Sequence, residues 1–218
     1  MCFHTHAEEN NTIVWTDVIL FGSLHPDNKW KYFIQPQLRW IDRDHKLEQA
    51  IFRSGIGYAC KDSLLFWIGE QLHASNQVNG NPPLGYIWER ADYRVLNYDN
   101  FKLWGRTQFD ERRMEGRSTW SIRLRERVSF LFPNTIHHKI SPLIYNEVFF
   151  YLNKMNWSKN DENLQNRFFA GVNIPWKRSA FWEVGYFNQS FFRASENRIN
   201  SSGNRVNNGI YLSLIIDL

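Results

Sequence analysis

The chain has 218 residues, of which 43% are hydrophobic and 17% aromatic, with ten tryptophans and a formal net charge of +4. A mean hydropathy of −0.52 and a longest purely apolar run of only Leu64 to Ile68 exclude a helical membrane protein, whose spans need about 20 apolar residues each. They do not exclude a membrane barrel, because alternating strands average out to a polar score.

The basic excess comes without a basic stripe or a recognisable nucleic-acid module, so no nucleic-acid partner is expected. Two cysteines, Cys2 and Cys60, support neither a disulfide framework nor a metal site. Thr5-His6-Ala7 before Glu8-Glu9-Asn10 reads as the end of a signal peptide, with a small residue before the cut. Residues 1–7 are therefore expected to be a signal-peptide remnant. Residues 8–218, which no linker, repeat or low-complexity run divides, are expected to form one domain.

Nearly every segment alternates with a period of two, which places successive side chains on opposite faces of a sheet. Thr12 to Phe21 is a β-rich run holding Trp15. Lys31 to Trp40 sets Tyr32, Ile34, Leu38 and Trp40 against Lys31, Gln35, Gln37 and Arg39. Pro36 lacks a ladder donor and predicts an edge strand or a bulge there. Lys46 to Tyr58 opposes Ala50, Phe52, Ile56 and Tyr58 to Gln49, Arg53, Gly55 and Gly57. Leu64 to His73 is apolar on both faces at its start, and its faces stay unassigned.

After a polar loop at Ala74 to Gly85, Ile87 to Leu96 places Arg90, Asp92 and Arg94 on one side. Phe101 to Arg112 does the same with Arg106, Gln108, Asp110 and Arg112. Trp120 to Phe132 alternates most clearly, with Arg123, Arg125 and Arg127 opposite Ile122, Leu124 and Val128. Glu126 breaks its apolar row and suggests a bulge. Leu143 to Tyr151 carries Glu147 opposite Val148. Gln165 to Gln189 is a hairpin turning at Pro175-Trp176-Lys177-Arg178, and its polar face offers a cross-strand pair between Arg167 and Glu183. Lys154–Asn163 and Arg193–Asn208 read as loops, and the chain ends on the alternating run Ile210 to Leu218.

Eleven candidate strands with short turns alternating with long loops make the chain all-β. Two architectures fit. In a soluble lipocalin-like barrel the apolar row is the core; in an outer-membrane barrel it faces lipid and the charged row fills the lumen. Three features favour the second. Trp30, Trp40, Trp88, Trp120, Tyr58 and Tyr151 fall near strand ends, as interfacial girdles do. Gly55, Gly57, Gly171 and Gly185 lie on the charged rows, where they would make room beside arginines in a narrow lumen. The chain also alternates to its last residue.

Ile144-Tyr145-Asn146-Glu147-Val148-Phe149-Phe150, Gln165-Asn166-Arg167-Phe168-Phe169-Ala170-Gly171 and Glu183-Val184-Gly185-Tyr186 resemble the bacterial outer-membrane barrel family known as domain of unknown function 2490. Gly55-Ile56-Gly57-Tyr58, Arg106 to Arg112 and Arg123-Leu124-Arg125-Glu126-Arg127 are similar to its charged strands. The resemblance implies a Gram-negative outer-membrane location behind a signal peptide, and it carries no activity, cofactor or catalytic residue. The expected fold is an antiparallel up-and-down transmembrane barrel of ten to twelve strands. Twelve is preferred because single-chain bacterial barrels have even numbers.

The expected lumen network is Arg90, Asp92, Arg94, Arg106, Asp110, Arg123, Arg125, Arg127, Glu147, Arg167 and Glu183. It reads either as ion pairs that fill the barrel or as a hydrated pore that prefers small anions. The lipid bilayer is the expected partner, the barrel is expected to be monomeric, and no cofactor or metal is expected. An enzyme is not expected. A barrel lipid hydrolase or acyltransferase would need a nucleophile beside a base, and the best pair is His73 with Ser75, His137-His138 being adjacent and so on opposite faces. Outer loops that bind a partner are the third class.

Overall fold

The computed structural model describes residues 9–25, 29–41, 46–75, 84–114, 119–133, 139–153, 162–193 and 205–218. The expected signal-peptide remnant, 1–7, lies outside them, as do most residues of the longer loops. Eleven strands run in chain order: β1 (Glu9–Ser23), β2 (Trp30–Ile41), β3 (Lys46–Lys61), β4 (Leu64–Ser75), β5 (Leu84–Tyr98), β6 (Phe101–Met114), β7 (Ser121–Leu131), β8 (Ser141–Tyr151), β9 (Glu162–Lys177), β10 (Ala180–Arg193) and β11 (Arg205–Asp217). Each pairs with its sequence neighbours, and β1 pairs with β11 to close the barrel.

Eleven strands, not twelve, make the closure unusual. Successive hairpins reverse direction, so the first and last strands of an odd-numbered barrel point the same way and can join only in parallel. The β1–β11 seam is indeed parallel, in register from Glu9↔Arg205 to Phe21↔Asp217, while the neighbouring seams β1–β2 and β10–β11 are antiparallel. The preference for twelve rested on a tendency among barrels rather than on a geometric requirement. The strand count read from alternation is the observed one.

Other local expectations change. Pro36 lies in no edge strand, because closure leaves none, and no residue is inserted beside it. The β1–β2 ladder keeps one register from Asp17↔Gln37 to Leu20↔Ile34 and omits only the pairs between them, where Pro36 has no N–H to give. Glu126 causes no bulge either; it pairs in register between Arg125 and Arg127. The segments read as loops are shorter, since β9 begins at Glu162 and β11 at Arg205.

The three connections of two residues, after β3, β5 and β9, lie at one end; this is the turn end, and the opposite one the loop end. Leu38, Phe52, Ile56, Phe66, Ile68, Leu72, Ile87, Phe109, Val128, Ile144, Phe168 and Ile210, from nine of the strands, all stand exposed on the outer wall. Arg90, Gln108, Asp110, Arg125, Glu147, Gln165, Arg167 and Gln189 are buried inside. The apolar row thus faces out, which is the reverse of the lipocalin arrangement. The faces of β4 also resolve. Leu65 and Trp67 point inward and Phe66, Ile68 and Leu72 outward, because the turn end of the interior is itself apolar.

Two aromatics expected in the girdles are not there. Trp88 is 2% exposed on the inner wall, and Tyr151 lines the interior. Trp30, Tyr58 and Trp120 remain exposed outside. The inner glycines make room for rings rather than for arginines. A Cβ on Gly57 would lie 2.6 Å from Trp67 Cε3, one on Gly55 2.7 Å from Trp88 Cη2, and one on Gly171 2.5 Å from Phe169 Cζ.

The outer apolar surface is interrupted by polar groups that partly satisfy one another. Thr107 donates to Glu126 at 2.9 Å, Ser54 to Glu70 at 3.4 Å and Asn188 to Asn208 at 2.7 Å. Glu89 stands exposed on the same surface.

Candidate functional site

The inner wall of β5 to β9 carries the ion-paired charges, because alternation sends every second residue of each strand inward and the register stacks those rows. On β8, Glu147 sits opposite Arg127 on β7 and opposite Arg167 on β9. It is 0% exposed and accepts from Arg125 Nη2 at 2.8 Å, Arg167 Nη1 at 3.0 Å and Arg127 Nη2 at 3.4 Å. One carboxylate thus holds three guanidiniums. Asp110 on β6 is its counterpart. It accepts from Arg123 Nη2 at 2.5 Å, lies 3.7 Å from Arg125 Nη1, and takes a Gln108 amide hydrogen bond at 2.6 Å. Arg125 therefore links the two acids. A smaller cluster stands apart, with Asp92 between Arg106 at 2.6 Å and Arg90 at 3.0 Å.

Nine of the eleven residues picked out by sequence meet in these clusters. Arg94 and Glu183 do not. Arg94 precedes a register shift on β5 and lays its guanidinium over the Trp104 ring at 5.7 Å. The Arg167–Glu183 pair fails on register: the hairpin sets Gln189 opposite Arg167 and Asn173 opposite Glu183. Glu183 lines the lumen, with no ion pair among the described residues. His73 also faces the lumen, its Nε2 without a partner among the described residues. The side chain of Ser75 and both His137 and His138 lie outside them.

Residues outside that network complete the inner wall. Asp17 on β1 is 7% exposed and accepts from Gln35 at 2.5 Å, Tyr211 at 2.8 Å and Gln37 at 3.1 Å. Arg39 donates to Gln37 Oε1 at 2.9 Å and Gln49 Oε1 at 3.1 Å. Arg53 donates to Gln71 Oε1 at 2.6 Å and Gln35 Oε1 at 3.2 Å. Neither meets a carboxylate at ion-pair distance among the described residues. Glutamine carbonyls, rather than directly paired carboxylates, take up the N–H groups of both.

Among the described residues the interior includes a cavity of about 510 Å³ toward the turn end and one of about 310 Å³ toward the loop end. Trp15, Arg39, Arg53, Arg125 and Arg167 line both, so these five form a belt between the chambers. Arg39 and Arg167 both stack on Trp15, with guanidinium carbons 4.0 and 4.7 Å from its ring centre. The loop-end chamber adds Arg112, Arg123 and Arg205, with Glu48 as its one carboxylate among the lining residues. Among the described residues no group of three or more His, Cys, Asp or Glu is arranged to hold a metal.

Residues 12–200 match the family described as protein of unknown function (DUF2490). The chain is also similar to an uncharacterized protein of Methylorubrum extorquens, 25% identical over 179 residues that cover 81% of this chain and 77% of the relative.

Proposed function

The chain belongs to the DUF2490 family, and we propose that it is a monomeric barrel spanning the Gram-negative outer membrane, with a lumen that favours small anions and performs no catalysis. The observation that carries this reading is the inversion of the two faces. Large apolar side chains stand exposed around the outer wall while arginine, aspartate, glutamate and glutamine are buried inside. Apolar surface costs about 25 cal/mol per Å² in water, and monomeric soluble proteins rarely expose contiguous patches beyond a few hundred Å². A hydrocarbon layer removes that cost. Backbone pairing in a closed barrel leaves no open edge to the lipid. Trp30 and Tyr58 at the turn end, with Trp120 at the loop end, suit two interfaces.

The anion preference follows from the belt. Arg39 and Arg53 lie where the two chambers meet, their N–H groups held by glutamine carbonyls, with no carboxylate at ion-pair distance among the described residues. Rings of arginine favour anions by direct electrostatics. The test is the reversal potential of the reconstituted barrel under a potassium chloride gradient. A potential on the chloride side that falls in Arg39→Gln and Arg53→Gln supports the reading. A cation-selective current, or no current from protein shown to be folded, removes the pore.

A further inference from the structure

The two chambers differ in character, and the difference names a class of ligand. The loop-end chamber is lined mostly by arginine, glutamine and asparagine. The turn-end chamber begins among Phe21, Leu65, Trp104, Phe181 and Ile215, continues past Phe33, Trp67 and Trp88, and ends at the arginine belt. Its walls are therefore apolar toward the mouth and cationic at the floor. About 510 Å³ lies within the range of small-molecule pockets, which combine apolar walls with a few convergent polar groups and occur in the mouths of barrels.

A second, independent observation concerns unsatisfied groups. Trp15 Nε1, Trp67 Nε1, Arg125 Nε and Arg167 Nε are buried N–H groups without an acceptor among the described residues, and all four residues line this chamber. Each is a donor. A buried donor left unpaired costs about 1–3 kcal/mol, and the arginines of this chamber, Arg39 and Arg53 on its floor among them, outnumber its two lining carboxylates, Asp92 and Glu183. Arg39 and Arg53, on the same floor, present guanidiniums held by glutamine carbonyls, with no carboxylate at ion-pair distance among the described residues. The apolar walls are also rigid. Phe33 meets Trp67 and Trp88 edge-on at 6.0 Å each, Arg90 lies over all three rings, and Gly57 and Gly55 are open only to the extent that the two indoles fit against them.

We infer that the turn-end chamber binds an amphipathic monoanion, an aromatic or short acyl body carrying one carboxylate, with the carboxylate on Arg39, Arg53 and the Trp15 N–H and the body against Phe33, Trp67 and the turn-end apolar wall. This goes beyond the anion-favouring lumen by requiring both halves of the ligand. A bare anion leaves the apolar wall uncovered, and a neutral apolar molecule leaves the floor unpaired. Binding involves no covalent step.

The experiment is isothermal titration of the full barrel in lipid nanodiscs, with empty nanodiscs as the blank, using phenylbutyrate, phenylbutanol and acetate as probes. Phenylbutyrate should bind at least tenfold more tightly than either of the others, Arg53→Gln should erase most of its advantage over phenylbutanol, and Trp67→Leu should weaken both aromatic probes. Equal binding of phenylbutyrate and phenylbutanol, equal binding of phenylbutyrate and acetate, or no binding of phenylbutyrate would each overturn the inference. The wild-type probe series decides this even if a variant fails to fold. Chloride preference of the same purified protein reconstituted into planar bilayers separates the two readings: preference retained without phenylbutyrate binding sinks this inference alone, and loss of both sinks the anion lumen as well.

Discussion

Arg53 Nε donates to Gln71 Oε1 at 2.6 Å, so a lumen-facing cation on β3 is held by a neutral carbonyl from β4. The register brings other arginines to carboxylates, but not this one. The contrast predicts opposite behaviour for two substitutions. Arg53→Gln removes a buried charge that no carboxylate pairs directly among the described residues, while keeping an amide partner for its neighbours, so the barrel should unfold at a urea concentration no lower than wild type. Glu147→Gln strips the carboxylate from three guanidiniums at once and should lower stability by about 3 kcal/mol, the scale for breaking a buried ion pair. Urea titration of the protein folded in lipid vesicles reads both.

Gly57 exists to admit an indole. All three nearest atoms to a Cβ placed there belong to Trp67, so Gly57→Ala should cost about 1–3 kcal/mol as overpacking. In a Trp67→Leu background the cost should fall by more than half, because the colliding ring is gone. A double-mutant cycle measures this coupling; additive losses would place the strain in the backbone instead.

Glu126 is a carboxylate on the apolar outer wall, held by the Thr107 hydroxyl at 2.9 Å. On a lipid-facing surface charged side chains destabilise a barrel in a depth-dependent way, with Asp and Glu costing less than the roughly 2–4 kcal/mol of Arg or Lys. Glu126→Leu should therefore stabilise the vesicle-folded barrel by about 1 kcal/mol. Unchanged or reduced stability would argue that this stretch of wall does not meet hydrocarbon.

Glu183 faces the turn-end chamber with no ion pair among the described residues. Its negative charge opposes the belt. Glu183→Gln should leave stability within about 0.5 kcal/mol of wild type, as substitutions away from a buried network usually do, and should raise the chloride preference seen in reversal potentials.

The strands and their two faces were legible because period-two alternation survives in ten of the eleven segments, and β4 escaped only because Leu65 and Trp67 are apolar residues pointing inward. The parallel seam was hidden by a preference for even strand numbers, although alternation alone had counted eleven strands. Among site residues, the charges were visible and their partners were not. Arg167 and Glu183 share a hairpin face, yet partner choice depends on the register with β8, which places Glu147 across from Arg167. The glutamines that hold Arg39 and Arg53 were passed over because attention to charge overlooks neutral acceptors; their regular inward spacing at Gln35, Gln37 and Gln71 was the available signal. Trp88 was misplaced in a girdle because its position near a strand end says nothing about which face it occupies.

The central claim is that the apolar wall meets lipid, and tryptophan quenching by bilayers with brominated acyl chains tests it most directly. Trp30, Trp120 and Trp176 stand exposed outside, whereas Trp15, Trp67 and Trp88 are buried inside. The account predicts strong quenching of the folded protein, diminished by Trp176→Phe together with Trp182→Phe and undiminished by Trp88→Phe. Weak quenching of folded, bilayer-associated protein, or quenching that depends on Trp88 and not on the outer residues, would contradict it.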